Sequence, residues 1–503
     1  MKSTIFRVQL FFIFLCFIPS SNSDEFTGSN QQYQYLKKYL ITSAALAASD
    51  PASVFGESID LSSGLVVFRR DDAHLSGNSE LPFSYQTYYD TSMPDVAGWK
   101  EDIPRIEYSY TTSSNYSTLA DGWRIGKYCS ESQLRSDKGS HIFGVQHTGS
   151  ALAIPNMGKK QLLESNHNSS SKAYSDSKYI TNSLWKISCY ISGETNLEGF
   201  KATSPNGTSY YFEHLISNPK VHLYERDGIS GSDNVNVLNH GILRRKTISL
   251  YVRKIEDRFG NYVDYTYSNG GLSKMESNDG RILTVEYINN KKVVSLKDMN
   301  SSWERKWSYF TRNNKYIVIE PDGREWLYDL FINQYHPYPP GMSGNFNTAC
   351  LIYPTNKTMS VTHPSGLIGE FKFSERVDYS SNYMSVQSSV PVQCSRILNL
   401  VEKKVTDTLS GIKGEPLLWR YIYSENEGGY VMNGKEPPDK FKLKGLTPPN
   451  VDPFLSDFIQ IKKPDNSSVK HYFNREGHSA SEGMIIATEY FDSFGVLLKT
   501  EEL

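Results

Sequence analysis

Residues 257–287 read DRFGNYVDYTYSNGGLSKMESNDGRILTVEY, and they are the clearest indication of the fold in this sequence. This stretch has two similar halves: an Asp and a Gly lead into a run ending on Tyr, and NDGR then leads into a second such run. Alternating apolar and polar residues are typical of a strand with one buried face, and Asp-Gly turns permit the positive φ angles of tight hairpins. The stretch therefore predicts paired antiparallel strands.

The same unit recurs along the chain from residue 204 onward, as SPNGTSYYF, PDGREWLY, PSGLIGEFKF, LSGIKGEPLLWRYIY, PDNSSVKHYF and YFDSFGVLLK. The turn glycines Gly260, Gly280, Gly323, Gly366 and Gly411 are separated by 20, 43, 43 and 45 residues. These gaps are close to one or two units of about 21 to 22 residues, and fixed periods in this range indicate repeat architectures. The clearest predicted turn residues are Asp257, Gly260, Asp279, Gly280, Asp322, Gly323, Asp492 and Gly495.

The remainder of the mature chain reads as β-structure with one exception. Short alternating runs divided by Gly, Ser and Asn begin near residue 54 and predict a β domain over 54–240, before the repeat region 241–503. Residues 24–53 contain YQYLKKYLITSAALAAS, whose apolar residues recur at helical spacing and predict a short helix. The 34 Tyr and 24 Phe suit strands. We therefore expect an all-β fold in which repeated antiparallel hairpins form a curved β-sheet strip, preceded by a short N-terminal helix.

The N-terminus predicts export. Lys2 and Arg7 precede an apolar run, Leu10 to Pro19, that is far shorter than the roughly 20 residues needed to span a bilayer. Small residues follow, with cleavage expected after Ser23, so residues 1–23 read as a secretory signal peptide. No later stretch is apolar enough to be a transmembrane segment, which predicts a periplasmic or extracellular protein. The net charge of -2 gives no indication of nucleic acid as a partner.

Four cysteines remain once Cys16, in the apolar run, is set aside: Cys129, Cys189, Cys350 and Cys394. An exported chain meets an oxidising compartment, so disulfides are expected, although buried free thiols are the alternative. Four cysteines allow three pairings, and proximity in sequence favours Cys129 with Cys189 and Cys350 with Cys394. No CxxC motif is present, and no His lies at zinc-finger spacing from a Cys.

The sequence offers no catalytic, cofactor-binding or metal-binding motif, so we expect a protein that is not an enzyme and has no cofactor. It has no Gly-x-Ser-x-Gly elbow, His-Glu-x-x-His motif or phosphate loop. The repeat Asp residues could be read as carboxylate pairs for glycoside hydrolysis, but capping of turn N–H groups is a sufficient reason for them. A set of aromatic residues is explained by cross-strand packing, with stacking on sugars as the alternative: Tyr265, Tyr267, Trp303, Trp307, Trp326 and Tyr328.

These turns and strands resemble the YD repeats of the rearrangement-hot-spot (Rhs) family, which are shared with shell components of bacterial Tc toxins and with animal teneurins. That unit is an Asp-x-x-Gly turn, an alternating strand and then Tyr. The matching stretches are Asp257 to Gly260 with Tyr265 and Tyr267, Asn278 to Arg281 with Tyr287, Pro321 to Arg324 with Tyr328, and Asp492 to Gly495. Residues 64–66, 81–82, 88–90 and 122–123 are similar to the segment before the repeats in bacterial members, but Gln86 and Thr87 stand where an Arg usually precedes the Tyr.

The resemblance covers roughly residues 54–503 and implies a β-strip that spirals into a hollow shell around a toxic C-terminal domain. This sequence has no Asp-Pro-rich core motif and ends at Leu503, within a repeat-like unit. We therefore expect a partial shell: a non-enzymatic scaffold for toxin delivery or cell-surface contact. It would be an N-terminal fragment from a truncated gene, a degenerate copy or a short stand-alone variant. Its expected partner is a C-terminal or separate toxin polypeptide, or a cell-surface ligand. The alternative is a module that binds carbohydrate or protein through an aromatic sheet face.

Overall fold

A computed structural model describes residues 53–91, 99–112, 128–130, 150–164, 177–193, 196–226, 242–268, 270–299, 301–330, 356–380, 392–407, 415–424, 443, 447–475 and 483–502. The predicted signal peptide at 1–23 lies outside these residues, and so does the predicted helix within 24–53. The described residues form strands and turns without a helix, so the predicted all-β class is confirmed.

The strands are β1 (Glu57–Ile59), β2 (Val66–Asp71), β3 (Gln86–Asp90), β4 (Lys100–Glu101), β5 (Arg105–Thr112), β6 (Ser150–Ile154), β7 (Gly158–Gln161), β8 (Leu163–Glu164), β9 (Tyr179–Ile180), β10 (Lys186–Ile191), β11 (Glu198–Thr203), β12 (Ser209–Arg226), β13 (Ile242–Glu256), β14 (Tyr262–Ser268), β15 (Gly271–Ser277), β16 (Arg281–Ile288), β17 (Lys291–Asp298), β18 (Glu304–Arg312), β19 (Lys315–Ile319), β20 (Glu325–Asp329), β21 (Lys357–Thr362), β22 (Leu367–Ser380), β23 (Val392–Asp407), β24 (Leu417–Tyr423), β25 (Ser456–Lys462), β26 (Ser468–Asn474), β27 (Ile485–Phe491) and β28 (Leu497–Glu502).

The strands form two sheets. Strands β1 to β4 make a small antiparallel sheet in sequence order, which we call the N-terminal sheet. From β8 to β28 each strand pairs antiparallel with the next, which gives one long strip. A branch of β7, β6 and β5 joins the strip where β5 pairs with β13. The strip runs without a break in pairing across residue 240, because β12 pairs with β13.

Two hairpins in the strip are much longer than the rest: β12 with β13, and β22 with β23. Their far ends meet, since residues 224–226 of β12 pair antiparallel with residues 392–394 of β23. The strip therefore bends back on itself over these twelve strands. Such bending is expected of a large twisted sheet, because the right-handed twist of neighbouring strands accumulates along it.

Each repeat consists of two strands joined by two different turns. Three-residue loops ending in a left-handed glycine lie at one end of the strands. At the opposite end, two-residue turns join β16 to β17 and β18 to β19, and all four of their residues are Asn with φ between 51° and 61°. Two consecutive left-handed residues are the requirement of a type I′ hairpin turn, for which Asn is well suited. The repeat length of about 21 to 22 residues is thus two strands and two turns.

The N-terminal sheet packs on one face of the strip, and the two share one hydrophobic core. The rings of Phe55 and Phe68 meet the Phe371 ring of β22 edge-on, with centroids 6.0 and 5.0 Å away. Further along, the Trp99 ring stacks on Tyr316 of β19 at 5.4 Å. The strip therefore buries its apolar face against the chain's own N-terminal sheet, as any amphipathic sheet must bury that face against another layer.

Candidate functional site

The predicted Asp-x-x-Gly turns belong to a common five-residue loop. In each, the first residue's N–H donates to the fifth residue's carbonyl, and the fourth residue's N–H donates to the first residue's carbonyl. The fourth residue has φ between 65° and 91°. The three middle residues therefore form a hairpin loop that ends on a left-handed residue, while the first and fifth residues are joined by a hydrogen bond. The loops are 204–208, 257–261, 320–324, 363–367, 463–467 and 492–496. The predicted turn residue Gly411 lies outside the described residues.

The repeat Asp residues occupy two different positions in this loop and cap the same N–H. Asp257 and Asp492 are the first residues of their loops. The Oδ1 atom of each accepts a hydrogen bond from the N–H of the fifth residue, at 3.0 Å for Asp257 and 2.8 Å for Asp492. Asp322 is the third residue of its loop. Its Oδ1 accepts a hydrogen bond from the N–H of the fifth residue, Arg324, at 3.1 Å, and this hydrogen bond lowers the pKa of Asp322. Each of these carboxylates thus serves its own loop, as Asx side chains commonly do in turns.

Asp279 differs, because its loop holds the N-terminal sheet. Its Oδ2 accepts the N–H of Asn78 at 3.1 Å, while Arg281 Nη1 donates to the Leu75 carbonyl at 3.0 Å. Burial acts to raise the pKa of Asp279, but hydrogen bonds, led by those from Arg281, lower it to about 2. A Cβ at Gly77 would lie 2.2 Å from both side chains, so a larger residue there would displace the ends of Asp279 and Arg281.

The predicted cysteines are partly described. A disulfide joins Cys129 to Cys189 of β10, which links a segment outside the regular strands to the strip. Cys350 lies outside the described residues. Cys394 pairs through its backbone with Tyr224, and only its backbone is described. A covalent bond across 60 residues restricts the unfolded chain and so stabilises the folded one.

The predicted aromatic residues lie mostly in the core. Tyr265, Trp307 and Tyr328 are buried, and Tyr267, Trp303 and Trp326 pack against the same core while partly exposed. The Trp326 ring has close neighbours on several sides: Tyr328 stacks at 6.0 Å, the His363 ring lies at 4.3 Å and the Arg70 guanidinium at 4.6 Å. These contacts cover part of the ring surface on which a sugar would stack.

A seam of polar groups joins the N-terminal sheet to the repeats. Arg70, only 8% exposed, donates to Asp72 in a buried ion pair and to the Tyr328 hydroxyl at 2.8 Å. The Tyr309 hydroxyl donates to Asp72 Oδ2 at 2.9 Å. Burial is the largest influence on the pKa of Arg70 and acts to lower it, but Tyr328 and Asp72 raise it overall. The seam keeps each buried charge paired, as a low-dielectric interior requires.

A second polar contact is centred on Glu101, at the end of β4. Its Oε1 accepts hydrogen bonds from the Tyr85 hydroxyl at 3.0 Å and from Lys292 Nζ at 3.1 Å. Its Oε2 accepts the backbone N–H of Leu272 at 3.0 Å. One carboxylate therefore ties β4 to β15 and β17 across the interface between the two sheets.

Beside Glu101 lies a cavity of about 230 Å³, which we call the Tyr265 cavity. The strip supplies one wall, the N-terminal sheet and the segment after β4 supply another, and the turn between β6 and β7 lies at its edge. The lining residues are Pro82, Ser84, Tyr85, Gln86, Asp102, Ile103, Pro104, Ile154, Pro155, Asn156, Met157, Tyr210, Tyr265, Leu272 and Met275.

The strip wall of the cavity depends on a β-bulge. Thr266 pairs with Lys274, but the next residue, Tyr267, pairs with Leu272, so Ser273 is an extra residue on β15. Leu272 and Met275 are three residues apart, a spacing that would place them on opposite faces of a regular strand. The bulge brings both into the cavity wall. Re-aiming a side chain is a recognised role of bulges.

Two tyrosines in the cavity wall have hydroxyls that form no hydrogen bond with any residue that the structure describes. Tyr210 is 7% exposed and Tyr265 is 3% exposed, and within the described residues neither hydroxyl has a hydrogen bond. Burial raises the pKa of Tyr210 to about 12 and also raises that of Tyr265, so both are neutral phenols at pH 7. Each can donate and accept one or more hydrogen bonds.

Apart from Tyr265 and Tyr328, which the sequence analysis named only as aromatic residues, the sequence predictions did not include these polar and cavity residues. Arg70, Asp72 and Glu101 lie in short strands whose pattern indicates only alternation, and their partners are far away in sequence. One signal was present: Arg70 and Asp72 are charged residues next to the apolar run GLVVF, where the N-terminal sheet is most buried. Within the described part of the chain, no group of three or more His, Cys, Asp or Glu side chains is arranged to hold a metal ion.

The fold defines a class of protein: an antiparallel repeat strip built on Asp-Gly and Asn-Asn turns, with its apolar face covered by a small N-terminal sheet. No protein-family model matches the chain, and no curated protein matches it either. Among the described residues no helix has the length and apolar character needed to cross a membrane.

Proposed function

We propose that this chain is an exported, non-enzymatic scaffold of the Rhs or YD-repeat type, part of or derived from a shell used in toxin delivery or cell-surface contact. The observation that carries the proposal is the strip from β8 to β28, in which the same five-residue loop, with a left-handed Gly or Asn at its fourth position, joins six pairs of consecutive strands. A strip of this kind can be extended or curved by adding units, because most of its strands pair only with the strands before and after them in sequence.

The chemistry of the interior is consistent with a scaffold. Inward aromatic residues fill the core, and the buried charges of the seam are committed to one another. Loop carboxylates such as Asp257 and Asp492 cap their own backbone. A structural role therefore explains why these aromatic and charged residues are present, and no catalytic role is needed to explain them.

The outer edge of β28 is the place where this scaffold would meet its partner. Within the described residues β28 pairs only with β27. Leu498 in β28 is 67% exposed, and Phe494 and Val496 in the preceding turn are 91% and 58% exposed. An edge strand with exposed apolar residues is a template for further strands. In the proposed scaffold, this edge continues into a toxin-bearing polypeptide, either C-terminal or separate.

Electron microscopy of the purified full chain tests the proposal. We expect one continuous curved β-strip with density from the N-terminal sheet on its inner face. Two or more discrete compact domains would contradict it. Export is tested by cell fractionation of the full chain beside a variant lacking residues 1–23, and retention of both in the cytoplasm would remove the exported part of the proposal.

A further inference from the structure

We infer that the Tyr265 cavity binds a small uncharged ligand, of the size of one substituted aromatic ring, that carries a hydroxyl or carbonyl group. The site lies between the N-terminal sheet and the repeats, away from the strip edge discussed above. The inference concerns binding only and involves no reaction.

The size of the cavity sets the size of the ligand. An apolar protein cavity of about 150 Å³ binds benzene. The Tyr265 cavity, at about 230 Å³, has room for such a ring with one or two further heavy atoms. It is below the range of roughly 300 to 1,000 Å³ that is usual for drug-sized ligands, which excludes oligosaccharides and nucleotides.

The charge of the lining favours a neutral ligand. Asp102 is the one carboxylate in the cavity wall among the described residues, and it is already paired. Arg69 Nη1 lies 2.5 Å from its Oδ2, and Arg105 Nη1 lies 3.6 Å from its Oδ1. A charged ligand would therefore lose its hydration without gaining a free counter-charge, a cost that a neutral ligand avoids.

The hydroxyls of Tyr210 and Tyr265 indicate where a polar group of the ligand would bind. Buried polar groups in proteins are almost always hydrogen-bonded, to protein, water or ligand. These two line the cavity without a protein partner in the described part of the chain. Tyr265 is only 3% exposed and lines the cavity, so a ligand held there lies next to this side chain.

The remaining walls suit an aromatic or aliphatic ring. Leu272 and Met275 contribute apolar side chains from the bulged strand β15, and Pro82 and Pro104 add apolar surface to the same lining. The thioether of Met makes favourable contacts with aromatic rings. Asn156 and Met157 are exposed in the turn between β6 and β7, which gives the cavity an opening to solvent.

The test uses phenol and toluene as probes, with dissociation constants measured on the full chain by ligand-observed NMR titration. Both probes should bind the wild type. The variant Tyr265→Phe keeps the shape of the wall but removes one hydroxyl, so phenol should bind about five-fold more weakly while toluene is unchanged. The variant Leu272→Trp fills the cavity, so neither probe should bind. Tyr287→Phe, at an exposed Tyr outside the cavity, is the matched control and should bind phenol as the wild type does.

Three results would overturn the inference. The first is that neither probe binds the wild type. The second is that Leu272→Trp still binds phenol. The third is that Tyr265→Phe binds phenol as tightly as the wild type does. The last result would mean that water alone satisfies the hydroxyl. If Leu272→Trp does not fold, the ratio of phenol to toluene affinity in Tyr265→Phe still decides, because that substitution removes no hydrogen bond among the described residues.

Discussion

The polar seam between the N-terminal sheet and the repeats gives the sharpest prediction about stability. Tyr309 of β18 and Tyr265 of β14 are both buried tyrosines facing the same core, with 2% and 3% exposure. Their hydroxyls differ in one respect: that of Tyr309 donates to the Asp72 carboxylate at 2.9 Å, and that of Tyr265 has no partner in the described residues. The pair Tyr309→Phe and Tyr265→Phe therefore isolates the hydrogen bond from the loss of a hydroxyl.

The expected cost of Tyr309→Phe follows from the charge of its acceptor. A hydrogen bond to a charged group contributes about 1.5 to 3 kcal/mol, because its loss leaves a buried carboxylate with one fewer donor. The ring contact with Tyr85, at 5.7 Å between centroids, is retained by Phe. We expect Tyr265→Phe to change the free energy of unfolding by close to zero, or to raise it slightly, since no intramolecular partner is lost.

The assay is equilibrium unfolding in urea, monitored by Trp fluorescence. The free energies of unfolding of the two variants and the wild type are compared, provided that their m-values agree. A double-mutant cycle of Tyr309→Phe with Asp72→Asn then measures the coupling between the two residues. Equal destabilisation by the two Phe variants, or a coupling energy indistinguishable from zero, would refute the role of the seam in joining the two sheets.

Three further predictions concern other parts of the fold. Gly323→Ala should cost about 1 to 2 kcal/mol by thermal unfolding, because φ is +84° there, and Gly323→Asn should cost less, since Asn466 occupies the same loop position. Reduction of the Cys129–Cys189 bond should lower the free energy of unfolding by about 4 kcal/mol if its 60-residue loop acts mainly on the unfolded chain. Burial lowers the pKa of His471 to about 4, so the folded protein favours the neutral ring. The contribution of His471 to the free energy of unfolding is therefore fully present above pH 6.5 and is lost as the pH falls from 6.5 to about 4.

Each of these has a clear control. Gly323→Ala and Gly323→Asn with equal melting temperatures would contradict the left-handed requirement. Cys129→Ala, which removes the bond without reductant, should reproduce the effect of reduction. For His471, the comparison is the pH dependence of unfolding in His471→Gln, which should be flatter than in the wild type below pH 6.5.

The sequence alone indicated the strands and turns of the repeats. Alternation over residues 262–268 and 281–288 predicts strands with one buried face, and Asp-Gly signals predict the loops between them. These are local properties, since side-chain alternation and left-handed turn residues depend on a few neighbouring positions. The Asn-Asn turns at 289–290 and 313–314 are equally local and could have been recognised by the same reasoning.

Only the tertiary structure decided what covers the apolar face and where a cavity forms. The hydrogen bond from Arg70 to Tyr328 spans 258 positions in sequence, and no periodicity specifies such a partner. The Tyr265 cavity likewise depends on the bulge at Ser273, which shifts Leu272 and Met275 onto one face. Local pattern thus determined how this chain makes strands, whereas the packing of the N-terminal sheet on the strip, a sum of many distant contacts, determined which side chains meet.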